Sequence, residues 1–287
     1  MLTSEQSNIL TLLCTCQDDN IALAETLAKG LNINILELLK QEGFFELGIK
    51  NISNFEPQLL EGNFEERDAT SLQLIPYFPA RTNFSCKNNQ LTNLEGIENL
   101  TELIDLNCAE NFLSSLEGIE NLNKLVELRC YMNNLQGLSA LKNHNKLVCL
   151  ACWSNQIASL VGLENCCALK LFFCSDNFLT SLAGLENLIQ LTNLECAGNQ
   201  LISLTALKNC TKLIELICSE NQITSLLGLE NCTELKYLDC GDNQITDLSP
   251  LYELPNLEEL DIRNNPNLSE AEIARFREHQ PNCKILC

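Results

Sequence analysis

Nine times between residues 84 and 268 the chain repeats one 22-residue pattern, and that period restricts its fold more than any other feature. Asparagine recurs at Asn89, Asn111, Asn133, Asn155, Asn177, Asn199, Asn221, Asn243 and Asn265. Three residues earlier in each turn stand Cys86, Cys108, Cys130, Cys152, Cys174, Cys196, Cys218 and Cys240, with Ile262 in the last. Two residues earlier again come Phe84, Leu106, Leu128, Leu150, Phe172, Leu194, Leu216, Leu238 and Leu260. Apolar positions that alternate with variable ones describe a short strand, because successive side chains leave a strand on opposite faces. The leucine and cysteine columns therefore point into a stack of turns, and the variable column points out.

Each asparagine is followed by a further apolar position (Leu91, Leu113, Leu135, Ile157, Leu179, Leu201, Ile223, Ile245) and a return segment such as residues 92–99, which adds two more leucine-type positions. The return ends on a second asparagine column, Asn99, Asn121, Asn143, Asn165, Asn187, Asn209 and Asn231. A tight corner with a left-handed backbone is expected there, since asparagine tolerates that conformation and bonds its own backbone.

Stretches such as LTSLAGLENLIQLTNLECAGNQL and ITSLLGLENCTELKYLDCGDNQI resemble the leucine-rich-repeat consensus, in the 22-residue class of internalins and of a regulator of protein phosphatase 1, with cysteine replacing the last strand leucine. The resemblance implies an α/β solenoid: a right-handed superhelix with a parallel β-sheet on its concave face. It further implies that the first asparagine column forms a buried ladder between neighbouring turns.

A solenoid has two open ends that need covering. Residues 1–80 are expected to form a helical N-terminal cap region, with short helices over 4–16, 19–29 and 33–42. Thr3 with Gln6 gives a capping-box pattern, Asp19 precedes an apolar-periodic run, and Gly30 and Gly43 supply stops. Residues 44–80, with Pro57, Pro76 and Pro79, give no regular pattern. The repeats occupy 81–268. Residues 269–287 read as a closing cap: Ser269 starts a helix running to about His279, and Cys283 to Leu286 form a last strand. No catalytic extension of the kind that bacterial ubiquitin-ligase effectors join to such repeats is expected.

Binding is expected on the outward strand positions, which vary without disturbing the core. The single tryptophan, Trp153, lies there beside Tyr131, Met132, Leu171 and Phe173. Exposed aromatic clusters form the centres of protein interfaces. Glu127, Arg129, Glu195, Ile217, Tyr237 and Asp239 fall on the same face and complete the expected partner-binding set. Two bland alternatives stand beside this one: residues 44–80 folding over the patch, or a local shift of strand phase.

Acidic residues number 38 against 18 basic ones, for a formal charge of −20. Such a balance disfavours nucleic acid and anionic membranes and suits a partner protein with a basic surface, although acidity also keeps a long solenoid soluble. Apolar residues never run to the roughly 18 that span a bilayer. Residues 1–13 carry no basic segment and no cleavage site follows, so seventeen cysteines set mostly at leucine positions are read as reduced thiols in a cytoplasmic protein. Export without a cleaved leader stays open.

Catalytic motifs are missing, and no enzyme activity, cofactor or metal is expected. His144 fills a slot held elsewhere by Leu100, Leu122, Cys166, Leu188, Cys210 and Cys232, and His279 sits among charges. Cys14 and Cys16 lie too close in sequence for a usual zinc pair. The leading functional expectation is a protein-interaction scaffold. A subunit presenting an enzyme such as a phosphatase comes second, and thiol chemistry at an outward cysteine such as Cys149 a distant third.

Overall fold

The computed structural model describes residues 82–287 together with Gln6, Asn8, Ile9, Leu23, Ala24, Thr26 to Lys29 and Leu31. Those early residues are helical except Leu31, a turn whose amide donates to Leu27 O, and the helical ones fall inside the first two expected helices. The helix over 33–42, the capping pair at Thr3, the glycine stops at Gly30 and Gly43, and any covering role of residues 44–80 lie outside the described residues.

Ten short strands form one open, curved, all-parallel sheet in sequential order. They are β1 (Asn83–Ser85), β2 (Asp105–Asn107), β3 (Glu127–Arg129), β4 (Cys149–Ala151), β5 (Leu171–Phe173), β6 (Asn193–Glu195), β7 (Glu215–Ile217), β8 (Tyr237–Asp239), β9 (Glu259–Asp261) and β10 (Lys284–Leu286). From β1 to β9 each residue pairs with the one 22 positions later, as in Phe84↔Leu106 and Leu106↔Leu128, so the sequence period is the sheet register itself. Helix α1 (Glu270–His279) interrupts the period, and β10 pairs with β9 after 25 residues, Lys284↔Glu259.

Every turn sends a set of aliphatic side chains inward. In the first full one Leu91, Leu94, Ile97, Leu100, Leu103, Leu106 and Cys108 are all at most 3% exposed. The core is thus a continuous column rather than a ball, which is why adding turns adds stability without needing a larger interior. All eight ladder cysteines are buried, and the seven from Cys108 to Cys240 are free thiols.

The asparagine ladder has the form the resemblance implies. Asn155 Nδ2 donates to Cys130 O of the preceding turn at 3.1 Å and to Cys152 O of its own at 3.0 Å. Its Oδ1 accepts from Leu135 N at 2.9 Å. The same set of bonds recurs from Asn111 to Asn265. Each amide closes the bend where the strand ends, so bonds that a sheet ladder cannot reach are made by side chain.

One expectation is corrected. The left-handed residues are not the second asparagine column but Asn88, Glu110, Met132, Ser154, Asp176, Glu220, Asp242 and Asn264, with φ between 51° and 57°, each just before a ladder asparagine. The chain must turn there sharply enough to aim the next amide inward, and the neighbouring turns' backbone bonds, such as Met132 N to Trp153 O at 3.0 Å, hold the strain. The second column is exposed and does other work: Asn165 and Asn209 donate to Lys142 O and Glu186 O of the preceding turn, both at 3.1 Å.

Candidate functional site

The outward residues of β3 to β8, with the residue two positions past each strand, form the open face of the sheet. Tyr131 and Trp153 follow Cys130 and Cys152 at equivalent positions of successive turns. Parallel strands stand about 4.8 Å apart, close to ring-stacking distance, and the two rings stack with centroids 4.4 Å apart and planes 6° from parallel. Both remain partly exposed. The indole is therefore on the surface, as its position in the period predicts, and the strand phase is unshifted.

Leu171 and Phe173 flank this pair on β5, partly exposed, opposite Cys149 and Ala151 of β4. Met132 is 47% exposed, but as a left-handed turn residue it stands at the end of the strand and not on the strand face itself. Ile217 and Tyr237 are partly exposed on β7 and β8, separated from the aromatic pair by β5 and β6. Ala109, Ala151, Gly241 and Asp261 belong to the outward columns by sequence yet are buried. The first three are too small to rise above their neighbours, and Asp261 lies beneath the Arg263 guanidinium that binds both its oxygens at 3.0 Å.

Charge is distributed unevenly over this face. On the N-terminal side Lys87 pairs with Glu110 at 3.1 Å and stands 5.9 Å from the Tyr131 ring centroid. Arg129 pairs with both Asp105 and Glu127. At the far end Arg263 holds Asp261, whose carboxyl is pushed below its ordinary value by that bond, and Lys284 holds Glu259 at 3.0 Å. Between these ends, among the described residues, Glu195, Glu215 and Asp239 form no ion pair. Glu215 accepts from Asn193 Nδ2 at 2.7 Å, and Asp239 from Ser219 Oγ and Gly241 N, both at 3.0 Å. Burial first, then the Glu215 charge, raises the Glu195 carboxyl above its ordinary value. Burial and the surrounding acids, Asp239 first, raise Tyr237 as well. Sequence reasoning found Glu195 and Asp239 but not which acids of the face are neutralised, because three of the five pairings, Lys87–Glu110, Arg129–Asp105 and Lys284–Glu259, run between turns.

Thiol chemistry finds little here. Burial, followed by the Glu127 charge, raises the Cys149 thiol, which withholds the thiolate that nucleophilic attack needs. Burial pushes the ladder thiols of Cys108 and Cys196 up to about 12. Among the described residues no group of three or more His, Cys, Asp or Glu side chains converges as a metal site, and no helix is long and apolar enough to cross a membrane.

A family model described as leucine-rich repeats, two copies, matches residues 211–253 and 233–274. Internalin C2 of Listeria monocytogenes is 30% identical over 70% of this chain and 87% of that one, with a TM-score of 0.61. The chain belongs to the leucine-rich-repeat family. A leucine-rich-repeat protein of Leptospira interrogans is 25% identical and superposes with a TM-score of 0.68, covering 75% of this chain and 57% of its own length. InlJ of L. monocytogenes, whose functional domain includes a cysteine ladder, is also 25% identical, with a TM-score of 0.55 over 74% of this chain and 52% of that one. The chain thus spans little more than half of these last two. Comparison with curated protein sequences finds no match. Leucine-rich-repeat solenoids are in general protein-interaction scaffolds without catalytic activity, and this chain has that architecture.

Proposed function

We propose that this leucine-rich-repeat chain is a non-catalytic scaffold that holds a partner protein on the concave face, centred on Tyr131 and Trp153 with Leu171 and Phe173 beside them. The observation that carries the reading is the stacked, partly exposed Tyr131–Trp153 pair on a strand face where solvated polar residues are the default. Stacking fixes both rings before a partner arrives, so little side-chain freedom is lost on binding, and aromatic anchors of this kind carry the largest share of interface energy. Glu127, Arg129, Glu195, Ile217, Tyr237 and Asp239 surround the anchor, and Met132 rims it. None of the relatives named above is a phosphatase regulator, and the phosphatase reading has no residue in its support.

Capture of partner from extracts of the source cells by wild type, by Trp153→Ala and by Val161→Ser tests this. Val161 is 62% exposed on a return segment away from the sheet. Trp153→Ala is expected to lose a partner that the other two retain, with a melting temperature close to wild type. Equal capture by all three would end the concave-face reading; collapse of the fold in Trp153→Ala would make the indole a structural element.

A further inference from the structure

Resting on the concave-face reading, the geometry points to a more specific occupant: we infer that the face takes an extended basic segment, one apolar or aromatic side chain seated at Trp153 and Phe173, followed by lysine or arginine over β6 to β8. Three observations converge. The apolar seat and the acids are continuous, since Phe173 is the register partner of Glu195, which pairs with Ile217, which pairs with Asp239. Cations on the face are already committed: Arg129 to Asp105 and Glu127, Arg263 to Asp261 and Lys284 to Glu259. Glu195, Glu215 and Asp239 are left as the only strand acids from β2 to β9 without an ion pair among the described residues.

The arrangement is polarised along the solenoid, from an aromatic seat with neutralised surroundings to a field of unopposed carboxylate. Burial first, and then the Glu215 charge, raise the cost of ionising Glu195. An arriving ammonium or guanidinium relieves both penalties, whereas an acidic or neutral segment relieves neither. Spacing follows from the sheet. Glu195, Glu215 and Asp239 lie on strands two, three and four places beyond β4, or roughly 10, 14 and 19 Å from that strand measured across the sheet at about 4.8 Å per strand. An extended chain laid across the strands advances about 3.3 Å per residue, so its cations belong about three to six residues from the apolar anchor, in either chain direction.

Fluorescently labelled synthetic peptides and anisotropy titration of the full chain decide the matter. One peptide carries tryptophan with lysine about three and six residues away in a Gly/Ser background; the second replaces both lysines with glutamine, the third with glutamate, and the fourth sets both lysines next to the tryptophan. The spaced-lysine peptide is expected to bind at least about tenfold more tightly than the other three, to weaken as salt is raised, and to lose that advantage on Glu195→Gln with Glu215→Gln, which conserve shape. Binding of the glutamine peptide as tight as the lysine one, indifference to the double variant, or no binding by any peptide would overturn the inference. If the glutamine peptide binds equally and Trp153→Ala abolishes that binding, the aromatic docking face stands and only the basic occupant falls.

Discussion

At the residue scale, two buried polar side chains show how strictly the period treats its exceptions. Ladder Asn155 satisfies a Leu135 amide and two cysteine carbonyls at once. Asn155→Ala is expected to lower unfolding free energy by on the order of 3 kcal/mol, because each buried backbone group it strands costs about 1 to 3 kcal/mol; chemical denaturation matching wild type would show that the ladder is ornamental. His144 is the opposite case, a polar group in a leucine slot, 1% exposed. A carbonyl can only accept, so Nε2 carries the proton and donates to Ile119 O at 3.1 Å, leaving Nδ1 buried without a partner among the described residues. Burial holds the imidazole below histidine's ordinary 6.5 despite the nearby Glu120. The unfolded chain then binds the proton more readily than the folded one, so the contribution to stability is complete above about pH 6.5 and falls as pH drops through the lowered folded value. His144→Leu removes this slope. Ile119 O keeps a donor, Leu122 N at 2.8 Å, so the variant is also expected to gain about 1 kcal/mol at neutral pH. Urea titrations of both proteins at pH 7.5 and pH 5 measure the two effects, and a wild-type pH slope persisting in the variant would place its origin elsewhere.

At the element scale, the return segments come in two designs. Gly96, Gly118, Gly162, Gly184 and Gly228 adopt φ between 102° and 110°, and each amide donates to the glutamate two residues on, as Gly162 N does to Glu164 Oε2 at 2.8 Å. Where the same position holds Ala140, Ala206 or Pro250, the glutamate is Lys142, Lys208 or Tyr252, and that position lies inside a 3-10 turn, Ser139–Leu141, Thr205–Asn209 and Ser249–Leu251; of the glycine turns only that of Gly96 forms one, and it begins after the glycine, at Ile97–Asn99. The two designs are not independent. A Cβ on Gly162, which follows an alanine turn, would meet Leu138 O at 2.3 Å, whereas on Gly184, which follows a glycine turn, the nearest atom is Leu160 O at 3.3 Å. Gly162→Ala is therefore expected to cost at least about 2 kcal/mol, and more than Gly184→Ala, whereas Ala140→Gly costs no more than about 1 kcal/mol; thermal melts that rank the three otherwise would contradict the clash. Strand position and register were fully legible in the sequence because both are the period itself, and the outward placement of Trp153 came with them. The corner was not. Residue type pointed to asparagine for the left-handed turn, yet Glu110, Met132 and Asp176 adopt it because bonds to the next turn outweigh local preference. The pairing of Arg129 with Asp105 was hidden for a similar reason, since only the assembled stack brings residues 24 apart within 3.0 Å.

At the scale of the whole molecule, each turn touches only its neighbours, so damage is expected to spread along the array and not through it. The C-terminal end tests this. Ser269 caps α1, its side chain accepting from Glu272 N, and Glu272 in turn accepts from Leu248 N at 3.1 Å and the Tyr252 hydroxyl at 2.6 Å. Phe276 of the same helix is fully buried, its ring 6.3 Å from that of Tyr252. Together they seal the leucines of the last turn. Truncating such a phenylalanine typically costs about 3 to 5 kcal/mol. In a globular domain that loss is shared by every residue; in a stack it falls first on β9 and β10. Phe276→Ala is expected to speed amide exchange in β9, β10 and α1 while β3 and β4, five or more turns away, keep wild-type protection and the Tyr131–Trp153 pair keeps its stacking. Exchange accelerating equally in β3 and β9 would mean that the array unfolds as one unit, and the binding face would then be only as stable as its farthest cap.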